Sequence, residues 1–213
     1  MPIKDIFLLN PNLQIGVWEI TESIDELRES LNLAEEEFHV FNLFKNERRK
    51  REWLAIRCLL QKMDKSALII YLKNGKPRLK AENGFISLSH TKGWVSIILN
   101  KSHNVGCDIE QLTPKVLRIK EKFTSDEELE KSENYKNKLA YFTLLWSTKE
   151  AIYKLFSEIV TLEFKTQIKV EFPAIIKPKG NLKANVIFNG RQKIIELDYH
   201  LQPEYALVYS MND

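Results

Sequence analysis

The chain has 213 residues, 44% hydrophobic and 29% charged, an ordinary soluble globular composition that suits one large domain or two small ones with a real core. Its net charge of +3 and pI near 8.7 fit an anionic ligand or an acidic protein partner, and are too weak to call for nucleic acid. No apolar run reaches the length of a membrane span, and Met1-Pro2-Ile3-Lys4-Asp5 lacks the apolar segment of a signal peptide, so a cytoplasmic location and no membrane partner are expected.

Gln14 to Ile20 alternates as a strand. Ser23-Ile24-Asp25-Glu26 is a capping box that opens a short helix with Ile24, Leu27 and Leu31 on one face, and a second helix follows Asn32. A third, longer helix is predicted from about Asn46 to Met63, with Trp53, Ile56, Leu60 and Met63 as its apolar stripe. Its first half is basic, with Lys45, Arg48, Arg49, Lys50 and Arg51, and Arg57 later, against Glu47 and Glu52. Such a run is either a solvated helix face or a phosphate clamp. Arg57, one turn after Trp53, is the best clamp candidate because a partly buried arginine wants an anionic partner.

Ala67 to Leu72 is a predicted strand, followed by an Asn74-Gly75 turn that presents Lys76. Phe85 to Ser89 is a strand ending in Ser89-His90, and Trp94 to Asn100 is another. A short polar turn then leads into Val105–Glu110, so Trp94–Asn100 and Val105–Glu110 are expected to pair as a hairpin. Leu117 to Phe123 reads as helical, and Thr124 or Ser125 caps an acidic helix. A long helix runs from about Lys136 to Phe156, with Tyr141, Leu145 and Ile152 facing the core and Trp146 as a large anchor. Glu150 and Lys154, i and i+4, share a face and can pair. From Ile168 to Tyr209 the pattern is a β meander, with Asn189-Gly190 as a hairpin turn. The repeated order of strands and helices predicts an α+β fold of two similar halves meeting near residue 103, residues 1–102 and 103–213. Cys58 and Cys107 read as buried thiols rather than a disulfide.

In Val105-Gly106-Cys107-Asp108-Ile109-Glu110, a strand turns Val105, Cys107 and Ile109 to one face and Gly106, Asp108 and Glu110 to the other. Two carboxylates then point the same way, roughly 7 Å apart. They are either a solvated acidic face or a site for a hard cation such as Mg²⁺, which takes oxygen ligands and is held by one or two carboxylates plus substrate phosphates. His90 has neither the Asp/Ser pattern of a hydrolase triad nor a second histidine near enough for zinc.

Two motifs together resemble the 4′-phosphopantetheinyl transferases, specifically the long, Sfp-like class. Gly106-Cys107-Asp108-Ile109-Glu110 is similar to that family's G-[IV]-D-[IV]-E, and Trp146-Ser147-Thr148-Lys149-Glu150-Ala151-Ile152-Tyr153-Lys154 to its W-x-x-K-E-[AS]-x-x-K. Glu150 follows Glu110 by 40 residues, as in the family. Gly75-Lys76-Pro77, Ser87-Leu88-Ser89-His90 and Phe123-Thr124-Ser125-Asp126-Glu127 support the match in the expected order, which covers about residues 75–154. Cys107 stands where Ile or Val is usual, on the core side of the strand.

The resemblance implies transfer of phosphopantetheine from coenzyme A to a serine of an acyl, polyketide or peptidyl carrier protein, with release of adenosine 3′,5′-bisphosphate. It implies that Asp108, Glu110 and Glu150 hold Mg²⁺. Glu150 is then the general base, Lys154 contacts the pyrophosphate, and Lys149 helps orient the site. By the same carry-over Ser89, His90 and Lys76 bind coenzyme A, and Arg57 with Arg51 clamps its 3′-phosphate. The implied fold is a pseudo-dimer of two halves in one chain with the cofactor in the cleft between them, and hence a monomer. A metal-dependent nuclease is the main alternative, since an Asp-x-Glu strand with a later Glu and Lys and a basic helix also cleaves phosphodiesters. A non-catalytic module that binds an acidic protein is the other.

Overall fold

A computed structural model describes residues 3–211, and Met1 and Pro2 of the N-terminal stretch lie outside them. Strands β1 (Ile3–Asn10) and β2 (Leu13–Glu19) form a hairpin, followed by helices α1 (Ile24–Glu29), α2 (Glu35–Leu43) and α3 (Glu47–Met63). The Ser23 box is made as the sequence predicts: its hydroxyl accepts from Glu26 N and the Glu26 carboxylate accepts from Ser23 N at 2.8 Å. The α3 helix starts at Asn46, whose side chain accepts from Arg49 N. Next come the short pair β3 (Ile69–Tyr71) and β4 (Pro77–Leu79), then the hairpin β5 (Phe85–Thr91) and β6 (Trp94–Asn100).

The second half opens with β7 (Val105–Gln111). Helix α4 (Lys115–Ile119), a 3₁₀ turn at 120–122, α5 (Asp126–Ser132), α6 (Lys138–Phe156) and the one-turn α7 (Phe164–Gln167) follow. Strands β8 (Ile168–Glu171), β9 (Lys179–Phe188), β10 (Arg191–Leu201) and β11 (Tyr205–Met211) complete it. Asn189 and Gly190 both have positive φ, as the tight β9–β10 turn requires.

The strands form two main antiparallel sheets, ordered β1-β2-β6-β5 and β7-β11-β10-β9-β8. The expected pairing of β6 with β7 is not made: β6 pairs with β2 and β5, and β7 pairs with β11 over seven residues, from Val105↔Met211 to Gln111↔Tyr205. The polar turn between them is a crossing from one sheet to the other. Asn100 Oδ1 accepts from Ser102 N and His103 N, and Asn104 Nδ2 donates to Leu155 O on α6, which leads the chain across. Alternation in a strand identifies its faces but not its neighbour, and the partner of β7 lies 94 or more residues further on at the register's end (Gln111↔Tyr205).

Both sheets share one connection. A strand leaves, helices intervene, and a hairpin returns with its second strand antiparallel beside the first: β2 with β5–β6, and β7 with β10–β11. Each half has its own core, α3 over the first sheet and α6 over the second. A third cluster joins them, with Ile15, Val17 and Ile98 of one sheet against Cys107, Ile109 and Leu207 of the other, all fully buried. At about 1.5–3 kcal/mol for each such side chain, this seam is a core and not a loose contact.

Candidate active site

One face of β7 belongs to that seam, and the other turns Gly106, Asp108 and Glu110 toward α6 and the first sheet. At Gly106 the helix comes in so close that an added Cβ would overlap the carbonyl oxygen of Ala151 and press on Leu155 Cβ at 3.1 Å. Glycine here lets α6 seat on the strand, and so brings Glu150 and Lys154 beside Asp108.

Asp108 is the hub. Its Oδ1 accepts from Lys154 Nζ at 2.8 Å and from Ser89 Oγ at 2.7 Å, while its Oδ2 is buried with no hydrogen-bond partner. Lys154 also donates to the Cys107 carbonyl. Burial works against the Lys154 charge, but Asp108 and its neighbours outweigh it and hold the ammonium above the ordinary lysine range. The i, i+4 pairing of Lys154 with Glu150 gives way to this stronger bond across elements.

Glu110 Oε1 accepts from Thr91 Oγ1 at 2.9 Å, and burial, then the charge of Asp108, raises its carboxyl. Glu150 is pushed up to about 7, first by burial and then by Asp108, with Glu110 adding to the effect and Lys154 opposing it. Three carboxylates therefore crowd one ammonium. Among the described residues no three His, Cys, Asp or Glu side chains form a ready-made metal cage. An orphaned buried carboxylate oxygen and two acids whose carboxyls are raised first by burial and then by like charges are nonetheless groups that a divalent cation would satisfy.

The β5 strand grips this centre from the first half. Ser87, Ser89 and Thr91 alternate along it, and their hydroxyls reach Cys107 N, Asp108 Oδ1 and Glu110 Oε1 in turn. Ser89, expected on coenzyme A, donates its hydroxyl to Asp108 here.

Beside the carboxylates lies a cleft of about 390 Å³ between the halves, with Arg49, Lys76, His90 and Lys154 as its basic lining and Tyr71 and Tyr153 among its aromatic walls. Lys76 comes from the Asn74-Gly75 turn and pairs with Glu158 at 3.2 Å. His90 lies within reach of Arg49 and Glu52, and burial depresses its basicity. The two clamp candidates are elsewhere. Arg57 is buried, donates to Glu37 at 2.8 Å and lies over the Trp53 ring, and Arg51 is exposed; neither lines the cleft. The arginine of α3 that lines the cleft is Arg49. The signal was in the helix register: Arg49 falls four residues before Trp53 and seven before Ile56, and all three face the cleft. The Lys149 side chain is also outside the cluster. Its ammonium is fully buried and donates to Glu128 and to the carbonyls of Phe123 and Phe164.

The profile of the 4′-phosphopantetheinyl transferase superfamily matches residues 104–209, about half of the chain, from the residue before β7 to within β11. The chain belongs to this superfamily. A 4′-phosphopantetheinyl transferase AcpT of Salmonella typhi is 32% identical over 112 residues, which cover 50% of this chain and 58% of that protein. The 4′-phosphopantetheinyl transferase psf-1 of Bacillus pumilus is 40% identical over 85 residues, covering 38% of this chain and 36% of that one. An AcpT of Escherichia coli K12 is 32% identical over 112 residues, covering 50% and 57%. The matches thus span from about a third to somewhat over half of these relatives' lengths. The superfamily match takes in Asp108, Glu110, Glu150 and Lys154; Arg49, Lys76 and His90 lie before it.

Proposed function

We propose that this protein is a 4′-phosphopantetheinyl transferase of the long, Sfp-like class, moving phosphopantetheine from coenzyme A to a serine of an apo carrier protein. The observation that carries the reading is the meeting of the Asp108–Glu110–Glu150–Lys154 cluster with a cleft lined by Arg49, Lys76 and His90. An anionic ligand in that cleft would lie beside the carboxylates that handle the proton and the charge.

The serine oxygen forms a bond to the phosphorus that carries the pantetheine arm, and the bond to the bridging oxygen breaks, so that adenosine 3′,5′-bisphosphate leaves with the electron pair. Glu150, with a carboxyl near 7, is suited to take the serine proton at neutral pH. Lys154, kept charged by Asp108, faces the pyrophosphate and offsets negative charge that builds during transfer. His90, Lys76 and Arg49 hold the phosphates of coenzyme A and so align the reacting phosphorus. Asp108, Glu110 and Glu150 would hold a divalent cation, Mg²⁺ in this reading. That ion, when bound, neutralises pyrophosphate oxygens.

The shared connection of the two sheets supports a pseudo-dimer in one chain, with halves 1–102 and 103–213, and thus a monomer that needs no second subunit to complete its site; a cytoplasmic location is part of the same proposal. Intact-mass spectrometry of apo acyl, polyketide and peptidyl carriers, incubated with the protein, coenzyme A and Mg²⁺, tests the activity and names the carrier. A mass gain on at least one carrier is expected. No gain on any of them would defeat the proposal.

A further inference from the structure

Glu52 lies in the second turn of α3, outside the region matched to the superfamily, and only 1% of it is exposed. A buried carboxylate is costly unless it is well partnered. Glu52 has three partners. Its Oε1 accepts from Arg48 Nε at 2.7 Å, and its Oε2 accepts from Arg49 Nη1 at 2.9 Å and lies 3.2 Å from His90 Nδ1. Arg49 and His90 both line the cleft, with side chains 43% and 35% exposed. One buried anion thus underlies two partly open groups that come from different elements, α3 and β5.

We propose that Glu52 is the positioning residue of the anion-binding wall of the cleft, holding the His90 ring by Nδ1–H and the Arg49 guanidinium in front of His90 Nε2. The inference rests on reading the cleft as the coenzyme A site. A ring that turns Nδ1–H toward Glu52 Oε2, 3.2 Å away, leaves Nε2 as the acceptor for Arg49 Nη1; Nε2 is the nearer of the two ring nitrogens to that group, which lies 3.4 Å from Nδ1. The ring is then neutral. A phosphate group entering the cleft draws Arg49 away from Nε2, because a charge-assisted bond to phosphate is stronger than one to a neutral ring nitrogen. The freed Nε2 takes a proton from solvent and donates it to the phosphate, and Glu52 faces the imidazolium so formed. The groups facing His90 are Glu52, Arg48 and Arg49 from α3 and Lys154 from α6. Burial and the three cations favour the neutral ring in the empty cleft, Glu52 opposes them, and an arriving phosphate reverses the balance.

A carboxylate that served only to brace α3 would affect stability alone. Calorimetry of coenzyme A binding to the full chain at pH 8, in two buffers of different ionisation enthalpy, separates the roles by counting protons. The wild type is expected to bind with proton uptake. Glu52→Gln is expected to bind about tenfold more weakly, from the loss of a hydrogen bond between charged groups, and without the uptake. Glu52→Asp should recover part of both. Nitrogen NMR of the wild-type ring, assigned by loss of the signal in His90→Gln, needs no folded Glu52 variant. It should show the Nδ1–H tautomer in the empty protein. An Nε2–H tautomer, or Glu52→Gln with unchanged affinity and unchanged proton uptake, overturns the inference. If the wild type does not bind coenzyme A, the reading of the cleft fails, and the ring tautomer still decides whether Glu52 positions His90.

Discussion

Gly106→Ala separates two explanations of the glycine in the acidic strand. If glycine is there to leave room for a pyrophosphate, the substitution crowds the ligand and the free protein keeps its stability. The packing makes the other prediction. The new methyl would overlap the Ala151 carbonyl, a backbone atom in mid-helix that cannot rotate away, and would sit 3.1 Å from Leu155 Cβ. Either β7 or α6 must shift. Overpacking of this kind costs about 1–3 kcal/mol, and the upper part of that range is expected because the obstacle is backbone. The shift also moves Glu150 and Lys154 relative to Asp108. A displacement of about 1 Å at a reacting centre can cost roughly 100-fold in rate. Urea denaturation of the free protein, with transfer rates measured at saturating coenzyme A, tests both consequences. A Gly106→Ala protein as stable as wild type, impaired only in its KM for coenzyme A, would refute the packing argument.

Lys149→Met should cost about 3–5 kcal/mol, because it strands the Glu128 carboxylate and two carbonyls in the core; thermal melts check it, and a Tm within a degree or two of wild type would contradict it. Glu150 titrates near 7 when folded, above its ordinary value of 4.5, so its protonated form favours the fold and that contribution is lost as pH rises from about 4.5 through 7. In metal-free buffer Glu150→Gln should therefore be more stable than wild type at pH 8, by at most about 3 kcal/mol, and gain little near pH 4.5; melts at both pH values would show it, and a gain independent of pH would not fit. Arg49→Ala should raise the KM for coenzyme A about tenfold or more and cost less stability than Arg57→Ala, because Glu52 keeps Arg48 whereas Glu37 loses the arginine that pairs with it; the reverse pattern in steady-state rates and melts would return the clamp to Arg57.

Much of this site was legible in the sequence, because the signals were local. Period-two alternation set the faces of β7, and i, i+4 spacing put Glu150 and Lys154 on one side of α6. Capping residues located the starts of α1, α3 and α5. What the sequence left open depends on partners far along the chain. The partner of β7 was misassigned because hydrophobic alternation is silent on pairing. Arg57 drew the clamp reading because it lies near the apolar stripe, yet the anion that satisfies it is Glu37 on α2. Lys149, inside a catalytic motif, turned out to be spent on Glu128 and two carbonyls. Glu52 looked like one acid in a basic run, and only the fold brings His90 to it.

In the function proposed, Asp108 and Glu150 form one centre that modifies a carrier serine in the presence of coenzyme A. Peptide mass mapping of a treated carrier tests it most directly. The wild-type protein is expected to place phosphopantetheine on a single serine, dependent on a divalent cation, and Asp108→Asn that remains folded by its melt is expected to place none. Modification by Asp108→Asn at the wild-type rate, or a carrier left unmodified by the wild type across the whole panel, would contradict it.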